Sequence, residues 1–264
     1  MKSSTLLLTL ACVGILAAQD KVTVPLSSPG QPVTIKASLI SGSITVTAGT
    51  GNEVVVQSTS TSSRDRGGAP AGMKRLGGGN ADLDVEEDHN VITIRGGRFG
   101  GGANLVITTP ANTSVQLKSI NAGHIDVTGL NGDLDVHMTN GPVTLKNVSG
   151  SVVAHSLNGS VTVTLDKVTV DKPMSFTSLN GSVEVTLPSD TKARLRLKTD
   201  NGTAYSDFDV KMEADAGKPV LENSSSSKGK YKIRMDRSIY GSINGGGPEF
   251  LLQTMNGDIL IHKK

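Results

Sequence analysis

Gly123, Gly132, Gly141, Gly150 and Gly159 recur nine residues apart without a slip. Gly181, Gly202 and Gly257 carry similar surroundings, and Asn stands directly before glycine at Asn131, Asn140, Asn158, Asn180, Asn201 and Asn256. The six residues SLNGSV at Ser156–Val161 return unchanged at Ser178–Val183. A regular period of this kind is the signature of a repeat architecture, and it narrows the fold more than composition does.

Aligned on the glycine, the second residue after it is Ile125, Leu134, Val143, Val152, Val161, Val183, Ala204 or Ile259. The fourth is apolar in all copies but the one that carries Ser206. The first is never a large hydrophobe. This alternation describes a half-buried strand, and Asn-Gly supplies a turn because both residues tolerate positive φ. A tight hairpin would pair Leu157 with Ser160, Leu179 with Ser182 and Met255 with Asp258 on one face. The pattern rejects that pairing. The chain is predicted to turn a corner at Asn-Gly and to keep Leu130, Leu157, Leu179 and Met255 inside on the near side of it. The corner copies ending at Asn140, Asn158, Asn180 and Asn201 are 18, 22 and 21 residues apart. The predicted fold is therefore all-β: a single-domain parallel β-helix or β-solenoid with coils of 18–22 residues, Asn stacked on Asn at the corners and parallel strands pairing between coils.

Residues 1–18 read as a signal peptide: Lys2 is the only charge before Asp20, Leu6–Ala18 is almost continuously apolar, and Leu16-Ala17-Ala18 suits cleavage before Gln19. The alternative is a lipoprotein anchored through Cys12 in Thr9-Leu10-Ala11-Cys12, although Thr9 stands where such boxes carry Leu. The chain from 19 to 264 is expected to be one exported domain, periplasmic, cell-surface or extracellular, with no transmembrane segment. Gly-rich loops are expected near 60–80 and 95–103, and a polar loop near 214–230. Cleavage after Ala18 removes the only cysteine, which excludes disulfides, thiol nucleophiles and Cys-bound metal. A net charge of +2 gives no electrostatic case for nucleic acid, and with 3% aromatics and no Trp a stacking platform is poorly supplied. No cofactor is expected.

Four stretches carry a family resemblance: SGSITVTAGTGNEVVVQS near the N-terminus, LVITTPANTSVQLKSINAGHIDV in the middle, the SxNGxVxV steps, and MNGDILIHKK at the end. In their order the chain resembles the bacterial putative-adhesin domain family of unknown function, exported proteins of β-helix-like repeats. The resemblance covers most of residues 19–264. It implies a cell-envelope or extracellular location and assigns no functional residues.

Several groups could carry chemistry. Asp126, Asp133 and Asp135 project outward from neighbouring strands, and paired carboxylates are what glycoside cleavage needs, so a polysaccharide-active enzyme is one alternative. A self-assembling structural element is another. The three aspartates equally occupy ordinary solvent positions of strands. Arg95-Gly-Gly-Arg98 resembles an RNA-binding segment but reads as a loop in an exported, near-neutral chain, and Ser225-Ser-Ser-Lys228 sits in a serine run with no helix to orient it. The leading expectation is a non-enzymatic binding or scaffolding module.

Its candidate site is a column. His137 and His155 lie three residues before their corner Asn, and Lys118 and Lys198 hold the same place before Asn121 and Asn201. Parity turns Lys118, His137, His155 and Lys198 outward. In register they form a basic stripe for an anionic envelope polymer or another envelope protein, strengthened as the histidines protonate below about pH 6.5. At the C-terminus Ile259, Leu260 and Ile261 are expected to form an edge strand, with His262, Lys263 and Lys264 as charged guards against end-to-end stacking.

Overall fold

The computed structural model describes residues 20–60, 83–96, 102–121, 123–169, 171–213, 220–221, 233–234 and 238–264. Their secondary structure is entirely β. The strands are β1 (Asp20–Val24), β2 (Val33–Ser41), β3 (Ile44–Gly49), β4 (Val54–Ser60), β5 (Leu83–Asp88), β6 (Val91–Gly96), β7 (Ala103–Pro110) and β8 (Thr113–Asn121). Then come β9 (Ile125–Thr128), β10 (Leu134–Asn140), β11 (Val143–Gly150), β12 (Val152–Asn158), β13 (Val161–Val168), β14 (Met174–Asn180), β15 (Val183–Leu187) and β16 (Ala193–Asn201). The rest are β17 (Ala204–Ser206), β18 (Lys211–Met212), β19 (Val220–Leu221), β20 (Ile233–Arg234), β21 (Ile239–Ile243), β22 (Glu249–Asn256) and β23 (Ile259–Lys263).

Two large mixed sheets contain all but β19 and β20. The ten-stranded sheet runs β1-β4-β7-β3-β9-β11-β13-β15-β23-β17, and the eleven-stranded sheet runs β18-β21-β16-β22-β14-β12-β10-β8-β2-β6-β5. Neither closes on itself. Pairing is parallel through the middle and antiparallel only toward the ends. Successive strands alternate sheets, so β8–β9, β10–β11, β12–β13 and β14–β15 each form a rung with one strand on either side. The nine-residue glycine spacing is thus half a rung. Gly141 and Gly159 mark the corner from the eleven-stranded to the ten-stranded sheet, and Gly132 and Gly150 mark the return.

Between the sheets lies one apolar core. Ile125, Val143, Val161, Val183 and Ile259 line it from one side, and Val136, Ala154, Phe176 and Leu252 from the other, each at most 1% exposed. The corners follow from the same alternation. Asn140 Nδ2 donates to Asn121 Oδ1, Asn158 to Asn140, Asn180 to Asn158, Asn256 to Asn180 and Asn201 to Asn256, at 2.7–2.9 Å. Gly141 has φ 151°, and a Cβ there would lie 2.1 Å from the Gly123 carbonyl oxygen, so only glycine fits between stacked corners.

Three expectations are corrected. The residues before the corner Asn are not all inside: Leu130 is buried, but Leu179 and Met255 are exposed and Leu157 is half-buried. The inner place belongs to the residue before them. Ser156 Oγ donates to Gly141 O at 2.8 Å, Ser178 Oγ to Gly159 O at 2.9 Å and Thr254 Oγ1 to Gly181 O at 2.8 Å. Each buried hydroxyl pairs a corner carbonyl that would otherwise be unsatisfied, and this turns the following hydrophobe outward.

The C-terminal strand is not an edge either. β23 lies between β15 and β17, and β22 between β14 and β16. The corner at Asn201 therefore does not stack directly on that at Asn180; the Asn256 corner intervenes. The reason is burial. Ile259 and Ile261 fill the core on β23, whereas the outer rung has only half-buried Ala204 and exposed Ser206 in the equivalent places. The opposite end is built alike, with β2–β3 inside β6–β7.

The expected signal segment 1–18, nearly all of the expected loop near 60–80 and most of that near 214–230 lie outside the described residues. Of the stretch 95–103, Arg95 and Gly96 end β6 and Ala103 begins β7.

Candidate functional site

The outer face of the eleven-stranded sheet carries the predicted column. Register places Arg95, Ser38, Lys118, His137 and His155 side by side on β6, β2, β8, β10 and β12. Four strand spacings span about 19 Å. The rings of His137 and His155 are 5.9 Å apart between centroids. Thr177 and Gln253 follow, and Lys198 comes after them. Three of the four expected residues are neighbours, then, and Lys198 is separated from His155 by two strands because β22 is inserted. It sits with Arg194 and Arg196 along β16, where Arg196 lies 5.7 Å from the centre of the Tyr240 ring.

A depression crosses β6, β2, β8 and β10, lined by Lys36, Ser38, Arg95, Lys118, Asp135 and His137. Lys36 and Arg95 are additions that the linear order of the chain concealed. They join Lys118 only because β2 pairs with both β6 and β8. Asp135 is the one acid in the depression, and its Oδ1 lies 2.8 Å from His137 Nε2. Asp84 reaches Arg95 from β5 at 4.0 Å, an exposed and weak pair. The remaining positive charge faces solvent.

The two histidines are not equivalent. His155 Nδ1 is 2.7 Å from Thr177 Oγ1. Burial against the sheet, and then the charge of His137, holds the His155 imidazole below its ordinary 6.5.

Of the three aspartates, Asp126 stands apart from Asp133 and Asp135. Asp126 is on β9 in the ten-stranded sheet, whereas Asp135 is on β10 in the other. Asp133 is held by Lys172, whose Nζ is 2.9 Å from both carboxylate oxygens. Asp126 cannot pair with Asp133 or Asp135 across one substrate. A different constellation does gather at the corner: Ser43 Oγ is 3.2 Å from His124 Nδ1, and His124 Nε2 is 3.4 Å from Asp126 Oδ2. It has the order of a nucleophile relay. Yet the N–H groups of Gly42, Ser43 and Ile44 are donated to Asn121 O, Asn104 Oδ1 and His124 O. None is left to stabilise an oxyanion. Among the described residues no group of three or more His, Cys, Asp or Glu could hold a metal ion, and no helix is long and apolar enough to cross a membrane.

No protein-family model matches the chain, and no curated protein matches it. Two solved structures are similar. A "putative cell adhesion protein" from Clostridium sporogenes is 9% identical with a TM-score of 0.47, over 94% of this chain and 99% of that one. A "putative adhesin" from Bacteroides fragilis is 12% identical with a TM-score of 0.42, over 94% and 97%.

Proposed function

We propose that the chain is an exported, non-enzymatic β-solenoid of the bacterial cell envelope, an adhesin-like binding or scaffolding module. Its eleven-stranded face recognises an anionic polymer. The solenoid reading is supported by the repeated corner and its unbroken asparagine ladder. The binding reading rests on one observation: Lys36, Arg95, Lys118 and His137 converge on one depression from four strands distant in sequence. Such a row of cations on a rigid face suits a polymer with regularly spaced negative charge. The spent backbone donors around Ser43 speak against acyl transfer.

The test is binding of anionic polysaccharide by the mature protein at about pH 5.5 and about pH 7.5. Binding is expected to weaken with salt, and to fall at least about tenfold in Lys36→Gln/Lys118→Gln, with a smaller loss in His137→Ala/His155→Ala. Absence of binding at both pH values, or affinity untouched by the lysine pair, rules the face out as the recognition surface.

A further inference from the structure

Beside the basic column runs a second row. Ile40, Ile120, Thr139, Leu157, Leu179 and Met255 follow one another on neighbouring strands, two residues closer to the corner. Ile40 is 50% exposed and Met255 44%, in a protein whose inward residues are near zero. Thr139 is the one polar interruption, and no charge enters the row until Asp200 on β16. Strand alternation turns the row outward, with the inner place held by Leu39 before Ile40, by Met138 before Thr139, and by the hydroxyls of Ser156, Ser178 and Thr254 before Leu157, Leu179 and Met255.

A third row is the ladder itself. Each primary amide has two N–H donors and two acceptor lone pairs. The ladder takes one of each from the interior members Asn140, Asn158, Asn180 and Asn256. These side chains are exposed, so every rung keeps one spare donor and one spare acceptor toward solvent. The basic residues Lys118, His137 and His155 on β8, β10 and β12, the largely apolar row and the amides thus run parallel at the strand spacing of about 4.8 Å, with the basic and apolar rows about 7 Å apart.

We infer that the polymer is an extended glycan of the polyuronate class, lying along the Asn-Gly corner with its sugars in step with the rungs. This rests on the reading that the face binds an anionic polymer, and it names the class. A pyranose uronate presents a carboxylate at one edge, an apolar face of C–H bonds and hydroxyls at the other edge. In an extended chain it repeats at about the spacing of paired strands. Successive sugars turn over along such a chain, so every second carboxylate meets the basic row, at Lys118 and His155; the C–H faces meet Ile120, Leu157 and Leu179, and the hydroxyls meet the asparagine amides. Charge complementarity sets the orientation across the strip. A flexible polyphosphate satisfies only the first row. A single-stranded nucleic acid would need aromatic platforms, and the three rows contain no Phe, Tyr or Trp.

The experiment compares polygalacturonate, its methyl-esterified neutral form and polyphosphate of similar length, with wild type, Leu157→Ser/Leu179→Ser and Lys36→Gln/Lys118→Gln. Thermal melts first establish that the Leu157 and Leu179 substitutions leave the fold intact. Wild type is expected to bind polygalacturonate at least about tenfold more tightly than either other polymer. The leucine pair should lose about tenfold for polygalacturonate and nothing for polyphosphate. Side-chain amide resonances of Asn140, Asn158 and Asn180 should shift with polygalacturonate alone. Equal or tighter polyphosphate binding, or polygalacturonate affinity untouched by the leucine pair, overturns the inference and leaves the anionic-polymer reading standing, whereas equal binding of the neutral ester ends both. Binding of neither polyanion ends both.

Discussion

Asn256 Nδ2 donates to Asn180 Oδ1 at 2.7 Å, although 76 residues separate the two. The bond places the last rung of the chain against β14–β15, inside the stack. Ile259 is accordingly a core residue, and Ile259→Asp should cost more than about 3 kcal/mol, as Val161→Asp and Val183→Asp should. Ala204→Asp on the outermost rung should cost no more than about 1 kcal/mol. Urea melts of the four variants check this; a mild Ile259→Asp would mean that the final rung is peripheral after all.

The corner depends on two small contacts. Gly159→Ala would put a Cβ 2.2 Å from the Gly141 carbonyl oxygen. Backbone must move to admit it, so a loss on the order of 3 kcal/mol is expected. Ser156→Ala strips the Gly141 carbonyl of its side-chain partner and should cost about 1–3 kcal/mol. Chemical denaturation measures both, and corners that tolerate either change without loss would contradict the stacking.

His155 links the site to acidity. Its folded pKa lies below the ordinary 6.5, so the neutral form is favoured by folding. The contribution is full above about pH 6.5 and is lost as pH falls through the folded value. His155→Gln should therefore show a smaller drop in Tm between about pH 7.5 and about pH 5 than wild type. Identical drops would remove His155 as the source.

Glu87 provides a second handle, far from the corner. Ser27 N and Asn90 N donate to its Oε1 at 3.1 and 2.9 Å, and Ser27 Oγ to its Oε2 at 2.9 Å. These bonds, the backbone of Ser27 first, hold its carboxyl below the usual range. The staple is complete above the ordinary value of 4.5 and is lost as pH falls through the lower folded one. The Ser27 amide resonance should titrate with a midpoint below 4.5 and cease to do so in Glu87→Gln. A midpoint at or above the ordinary value would show that the staple does not form in solution.

The inward residues were legible because alternation is local: Val161 and Val163 announce their face without reference to the rest of the chain. So was the ladder, since identical amides at equivalent corners have no better partner than each other. The order of rungs was not. Parallel pairing reads the same pattern whether the partner is 18 or 76 residues away. The one clue was weakness, in Ala204 and Ser206, which mark a rung fit only for an end. Leu157 and Leu179 misled because counting back from glycine ignored the hydroxyl that outcompetes them for the inner place. At the candidate site, the adjacency of Lys118, His137 and His155 was legible from simple spacing. Lys36 and Arg95 did not, because only the interleaving of β2 with β6 brings them near.

The nested last rung also bears on how the protein is made. Strands β14 and β15 acquire their far neighbours only when residues 249–263 arrive. Strand β16, synthesised some fifty residues earlier, pairs with β22 and β21 and has no other seat among the described strands. Until those residues arrive, the growing stack presents an open parallel edge, the kind of surface that templates aggregation. A chain stalled or clipped before Glu249 is held at that stage. Residues 249–263 thus act as a closing bolt, set between strands that precede them in the chain.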